Sequence, residues 1–320
     1  MKNWFRYILY ASLIFLVFAL AKADYLVIPS IHDPLKLVAS LLLLFAGFLL
    51  NALSWPRTLR HTPCRVGDRE GLASHGLAIF GKYIPGKFWV IMGRAEYLAL
   101  RSGHSRKDLA SLSLDAQFIA LWAALLLGTL GMISVGGARL YGLAVLALFV
   151  LLSLVIYTPF FHRMAGWLLS RMLRKPVKVP QLPLSRVIRI MLWYLLSWGT
   201  WSMAFWLLAG SLVEGALPFH IAWGFALGGS IGILSVFAPG GLGIREGILT
   251  AYLSLAGMAI QDATTIAVAS RLWFLAGELF IFLLALILDR QVKKQGHDQG
   301  RNSGKNPVGD PGKNPGKNPV

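Results

Sequence analysis

The 320-residue chain is 56% hydrophobic and only 14% charged, against about 25% charged in a soluble domain, which excludes one water-soluble core. Its formal charge of +17, from 31 Lys and Arg against 14 Asp and Glu, would suggest nucleic acid in a soluble protein. Here the cations sit mainly in a few linkers and the tail, where the positive-inside rule and anionic headgroups account for them.

Cys64 is the only cysteine, so an intramolecular disulfide and a thiolate zinc site are both excluded. The seven His form no metal-binding pair, and neither a metal nor another cofactor is expected.

Residues 1–23 start basic and are apolar over 7–21, with Ala21-Lys22-Ala23 before Asp24 resembling a signal-peptidase site. A retained first helix is the preferred reading and a cleaved signal its rival. Further apolar segments at 35–54, 109–135, 140–161, 187–213 and 264–288 are each long enough to cross about 30 Å of hydrocarbon. The expectation is an all-α polytopic membrane protein with about six full spans. Two further apolar stretches, 71–100 and 220–259, are broken in the middle by Pro85-Gly86 and Pro239-Gly240, and each reads as a re-entrant hairpin of two half-length pieces. From Arg290 the chain turns polar and Gly-Lys-Asn-Pro occurs three times, so residues 1–289 read as the membrane domain and 290–320 as a disordered basic tail.

With both broken stretches re-entrant, one side of the membrane collects twenty-three Lys and Arg and the other only Lys22, Lys36 and Arg139. That asymmetry predicts both termini in the cytoplasm and a location in the cytoplasmic (inner) membrane. It also inverts the two halves. The order span, broken hairpin, span occurs twice, its first hairpin entering from the cytoplasm and its second from outside. Corresponding interruptions in inverted halves point to a binding site near the midplane.

The tips read Lys82-Tyr83-Ile84-Pro85-Gly86-Lys87-Phe88-Trp89 and Ala238-Pro239-Gly240-Gly241-Leu242-Gly243-Ile244-Arg245-Glu246-Gly247, each with a cation just after the break. A half-helix start offers free N–H groups and a positive dipole end, Gly lets a ligand approach the backbone, and Arg can grip a phosphate in bidentate fashion. The candidate substrate-binding set is therefore Lys82, Pro85, Gly86, Lys87, Trp89, Pro239, Gly240, Gly241, Gly243, Arg245 and Glu246. The expected ligand is an anionic headgroup, of a phospholipid or a polyprenyl-phosphate-linked lipid. Glu246 either neutralises Arg245 or takes protons. Asp115, Gln117, Arg271 and Glu278 are polar at membrane depth and need partners; Arg271 and Glu278, seven apart, share a helical face. Gly224, Gly228 and Gly232 read as a close-packing stripe.

These residues resemble the lysylphosphatidylglycerol synthase transmembrane-region family, the flippase-like integral membrane proteins. The resemblance rests on Gly81-Lys82-Tyr83-Ile84-Pro85-Gly86-Lys87 with Trp89 and Arg94, on the 238–247 motif and on Arg271, and it extends to about Asp289. It implies a multi-span bundle with re-entrant segments that moves lipids between leaflets. Members often carry an acidic residue followed by Arg where this chain has Asp115-Ala116. No aminoacyl-transferase domain follows the bundle, so synthase activity is not carried over. The expected function is a lipid or lipid-linked-intermediate flippase without catalytic residues. The alternatives are an accessory or scaffold subunit of envelope lipid or glycolipid assembly, with protein partners there, and then a membrane-embedded lipid transferase.

Overall fold

The computed structural model describes residues 29–60, 62–84, 88–136, 139–157, 163–164, 166–167, 170–171, 184–235 and 238–303. The readings made for residues 1–23, for Pro85, Gly86 and Lys87, and for the repeats after residue 303 lie outside the described residues.

Helix α1 (Pro34–Leu59) starts where its sequence says it should. Asp33 accepts a hydrogen bond from the Lys36 backbone N–H at 3.0 Å, and Pro34 occupies the first turn, where a missing N–H costs nothing. That hydrogen bond, reinforced by the Lys36 ammonium at 3.0 Å, holds the Asp33 carboxyl below its ordinary range. Two broken hairpins and, among the described residues, four more helices follow. Hairpin 1 comprises α2 (Asp68–Ala78), a 3-10 turn at Ile79–Tyr83 and α3 (Phe88–Ser102). Then come α4 (Arg106–Ser134), α5 (Arg139–Tyr157) and α6 (Leu184–Leu212). Hairpin 2 comprises a turn at Phe219–Ile221, α7 (Ala222–Leu234), a 3-10 turn at Pro239–Gly241 and α8 (Ile244–Leu255). Last is α9 (Ile260–Ser303).

Among the described residues there is no strand, and the fold is all-α and polytopic. α1, α4 and the 260–293 part of α9 are long and apolar enough to cross a membrane. Over 140–154, α5 is a shorter apolar helix, while α6 has ample length but is diluted by Trp, Ser and Gly. Outward faces are stripes of large apolar side chains at helical spacing: Leu35, Val38 and Leu42 on α1, Ile188, Leu192 and Leu196 on α6, Leu279, Leu283 and Ile287 on α9. In water such stripes would drive aggregation; against lipid they are the expected covering.

α1 and α6 run antiparallel. At one end the His32 backbone N–H donates to the Ser211 carbonyl at 2.8 Å; midway Gly47 lies against the Trp201 indole; at the other end Arg57 lies 5.4 Å from the centre of the Trp193 ring. Each is followed by a hairpin whose two arms return to one base. Hairpin 1 is based at the C-terminal end of α1, through Arg60–Asp68 at 2.8 Å and the His104 ring 3.1 Å from the Arg65 carbonyl. Hairpin 2 is based at the C-terminal end of α6, through Trp206 Nε1 donating to Leu217 O at 3.1 Å and Tyr252 OH donating to His220 O at 2.8 Å. The bases therefore lie at opposite ends of the bundle.

The stripe of small residues in α7 lets α8 approach closely: Gly224 lies against the Tyr252 ring, while Gly228 and Gly232 leave room for the Arg245 carbonyl and Cβ. α9 spans the bundle and continues to Ser303, fourteen residues past Asp289, where an irregular tail had been expected. Residues 290–303 are polar but contain no proline, and Lys293 supports the helix by pairing with Asp289 one turn back at 2.6 Å.

Candidate functional site

The hairpin tips meet inside the bundle, against one face of α9. Gly240, at φ 61°, is in the left-handed region that favours glycine, and a Cβ there would lie 2.5 Å from the Tyr83 ring. The Tyr83 ring is thus seated on the Gly240 backbone. Gly81 is equally confined, since a Cβ would come within 3.0 Å of the Trp89 and Val90 backbone. The two arms of hairpin 1 are in contact just behind its tip.

α9 holds both tips with two side chains two turns apart. Glu278, fully buried, accepts from Lys82 Nζ at 2.5 Å on one carboxylate oxygen and from Tyr83 OH at 2.7 Å on the other. Arg271, 2% exposed, donates to the Gly240 carbonyl at 3.2 Å and places its guanidinium 5.1 Å from the centre of the Tyr83 ring. Sequence reasoning put Arg271 and Glu278 on one face, and they are; Glu278 reaches hairpin 1, while Arg271 reaches the Gly240 carbonyl of hairpin 2 and the Tyr83 ring of hairpin 1.

Arg245 opens α8 and turns back into the same space. Its guanidinium lies between the Phe225 and Phe274 rings, 4.5 and 4.6 Å from their centres, and Lys82 stands 5.2 Å from the same Phe274 ring. Three cations, Lys82, Arg245 and Arg271, are gathered at the tips. Glu278 pairs with Lys82 as its anion. Arg245 Nη2 is buried without a hydrogen-bond partner. Cation–π contacts soften the cost of burying a guanidinium but supply no acceptor for its N–H groups.

Glu246 caps the helix it begins, and its Oε1 is buried without a hydrogen-bond partner. Its Oε2 accepts the Gly243 backbone N–H at 2.8 Å, the returning half of a capping box that Gly243 has no side chain to complete, and it lies in no ion pair with Arg245. Gly243 and Gly241 both have positive φ, 79° and 73°, which lets the chain reverse between the Pro239 turn and α8. Trp89 is half-buried beside Phe88, with ring centres 6.0 Å apart. Gln117 is half-buried on α4, and Asp115, nearby on that helix, is buried. Neither joins the junction. Arg94 is buried and faces the Trp55 ring at 5.9 Å.

Sequence reasoning missed Tyr83, Phe225 and Phe274 as members of the site. Tyr83 was visible as a polar aromatic beside Lys82, but its partner Glu278 is 195 residues away. Phe225 and Phe274 sit in apolar runs where nothing distinguishes a ring that faces a guanidinium from one that fills the core. Among the described residues no group of His, Cys, Asp and Glu is arranged to hold a metal ion.

Residues 3–285 match the family described as the lysylphosphatidylglycerol synthase TM region. The chain belongs to that family. The match covers both hairpins, the tip motifs and all of α9 that touches them. No curated protein matches the chain.

Proposed function

We propose that this member of the lysylphosphatidylglycerol synthase TM-region family carries an anion-bearing lipid, or a lipid-linked intermediate, across the cytoplasmic membrane. Its headgroup would bind where the two hairpin tips meet. One observation carries the reading: Lys82, Arg245 and Arg271 converge there, Glu278 pairs with Lys82, and a buried Arg245 N–H lacks an acceptor. A phosphate offers several oxygens at once and suits a guanidinium flanked by rings. Glu278 is then the resident anion, holding Lys82 until a headgroup displaces it.

In this reading the ends rich in Arg, around residues 57–69 and 94–107, face the cytoplasm with both termini. The protein is a carrier and not an enzyme, and the membrane lipids are its partners. A second reading, a non-catalytic accessory subunit of envelope lipid assembly, draws on the same Lys82–Glu278 pair: a cation already answered by a carboxylate is also a structural tie.

Native mass spectrometry of lipids retained by the purified protein separates the two. A specific anionic or polyprenyl-phosphate lipid kept by the wild type and lost in a folded Arg245→Ala variant supports the carrier. The same bulk lipids on both proteins sink it in favour of the accessory role.

A further inference from the structure

Asp115 belongs to none of these contacts. It lies in the first third of α4, an apolar helix of 29 residues, and is 7% exposed. Its Oδ2 is buried with no hydrogen-bond partner, as is the Ser111 hydroxyl one turn before it. Among the described residues no Lys, Arg or His forms an ion pair with it.

The charged groups on the elements around α4 are engaged elsewhere or point outward. On α3, Arg94 faces Trp55, Glu96 pairs with Arg106, and Tyr97 and Arg101 bind Asp289. On α1, Lys36 pairs with Asp33 and Arg57 with Asp68. On α6, Arg186 and Arg189 are exposed near its start and Tyr194 is buried. α5 begins at Arg139 and exposes Tyr141, the turn before α7 has the half-buried His220, and α7 itself contains no ionisable residue.

A buried carboxylate oxygen with neither a donor nor a counterion is costly at membrane depth, and a bound proton is the smallest partner that relieves it. Ionisation requires water to reach it. α4 packs against α3 of hairpin 1 and α7 of hairpin 2, so a shift of either arm changes the packing around α4.

We propose that Asp115 is a proton-binding site, loaded in the arrangement seen here and discharged when the hairpin arms beside α4 part. Glu246, the other candidate for that role, has its Oε2 held by the Gly243 N–H, although its Oε1 is as unpartnered as Asp115 Oδ2. The site stands whether or not a lipid binds at the tips; if one does, the proton is the second ligand of the same cycle.

Dicyclohexylcarbodiimide, an apolar reagent that forms adducts only with protonated carboxyls, tests the site on the full chain in lipid nanodiscs, read by peptide mass spectrometry. Asp115 is expected to label several-fold more than Glu246 or Glu278, falling about tenfold from about pH 5 to about pH 9 as the carboxyl ionises. The adduct is lost from that peptide in Asp115→Asn and restored, with its pH dependence, in Asp115→Glu. No adduct on wild-type Asp115 overturns the proposal. So does labelling that is flat with pH, which marks a permanent structural acid, or protection by sodium without pH dependence, which marks a metal-cation site.

Discussion

Gly240 and Gly247 sit seven residues apart and respond to the same substitution in opposite ways. At Gly240 a methyl group meets the Tyr83 ring and the backbone is left-handed, so Gly240→Ala carries a conformational cost of about 1–2 kcal/mol before any clash is counted. At Gly247 an added Cβ meets nothing within 4 Å on a helical backbone, and Ala there is worth up to about 1 kcal/mol of stability. Thermal unfolding in detergent should show Gly240→Ala lowering the midpoint and Gly247→Ala holding or raising it. Glu278 supplies a second contrast. Glu278→Ala strands Lys82 in the interior at a cost of about 3–5 kcal/mol, whereas Lys82→Met with Glu278→Gln, which removes both charges together, should recover much of that loss. If the double variant is as unstable as Glu278→Ala alone, the pair is not the tie described here. Lys82, Gly240 and Arg245 were legible as candidates because Pro-Gly breaks in an apolar stretch force attention on their flanks. Their partners were not, because no local pattern says which residue some two hundred positions away will face them.

At the scale of elements, the sequence was most informative where periodicity and capping agree. The apolar segment predicted at 35–54 is the core of α1, and Asp33 with Pro34 marks its start. The same Asp33 has a consequence for pH. Because its carboxyl is held low in the folded state, its contribution is present above the unfolded value and fades as pH falls through the folded one. Wild type and Asp33→Ala should therefore converge in thermal stability on acidification and differ at neutral pH; a difference that persists in acid would mean the cap acts through something other than charge. Less legible was the end of α9. Polarity and repeats suggested disorder from Arg290, whereas the helix runs on through Gly296 and Gly300, each about 1 kcal/mol less favourable than Ala, because the strong apolar helix before them supplies the costly nucleus.

For the whole molecule, opposed hairpin bases make a prediction about sidedness. On a Cys64→Ser background, Arg69→Cys and Glu214→Cys each place one thiol at an exposed position, near the base of hairpin 1 and of hairpin 2 respectively. A membrane-impermeant maleimide added to intact cells should label Glu214→Cys and spare Arg69→Cys, and inverted vesicles should reverse the pattern. Labelling of both from one side would mean that the charge asymmetry misassigned a hairpin. The inverted order of the halves could be read from the chain because charge and hydropathy are additive along it. That the tips touch, and that α9 is the element against which they meet, depends on packing in three dimensions, for which Gly47, Gly76 and Gly277 leave the room.

The placement of Glu278 also constrains how the protein is made. A ribosome delivers hairpin 1 to the membrane with Lys82 and Tyr83 already in its tip, but their acceptor emerges only 196 and 195 residues later. Until then the ammonium has no carboxylate, and the tip must wait in water, beside lipid phosphates or under the care of an insertion factor. Hairpin 1 is therefore among the first parts synthesised and among the last to be locked. A nascent chain arrested before residue 260 should leave hairpin 1 open to protease, and release of α9 should close it.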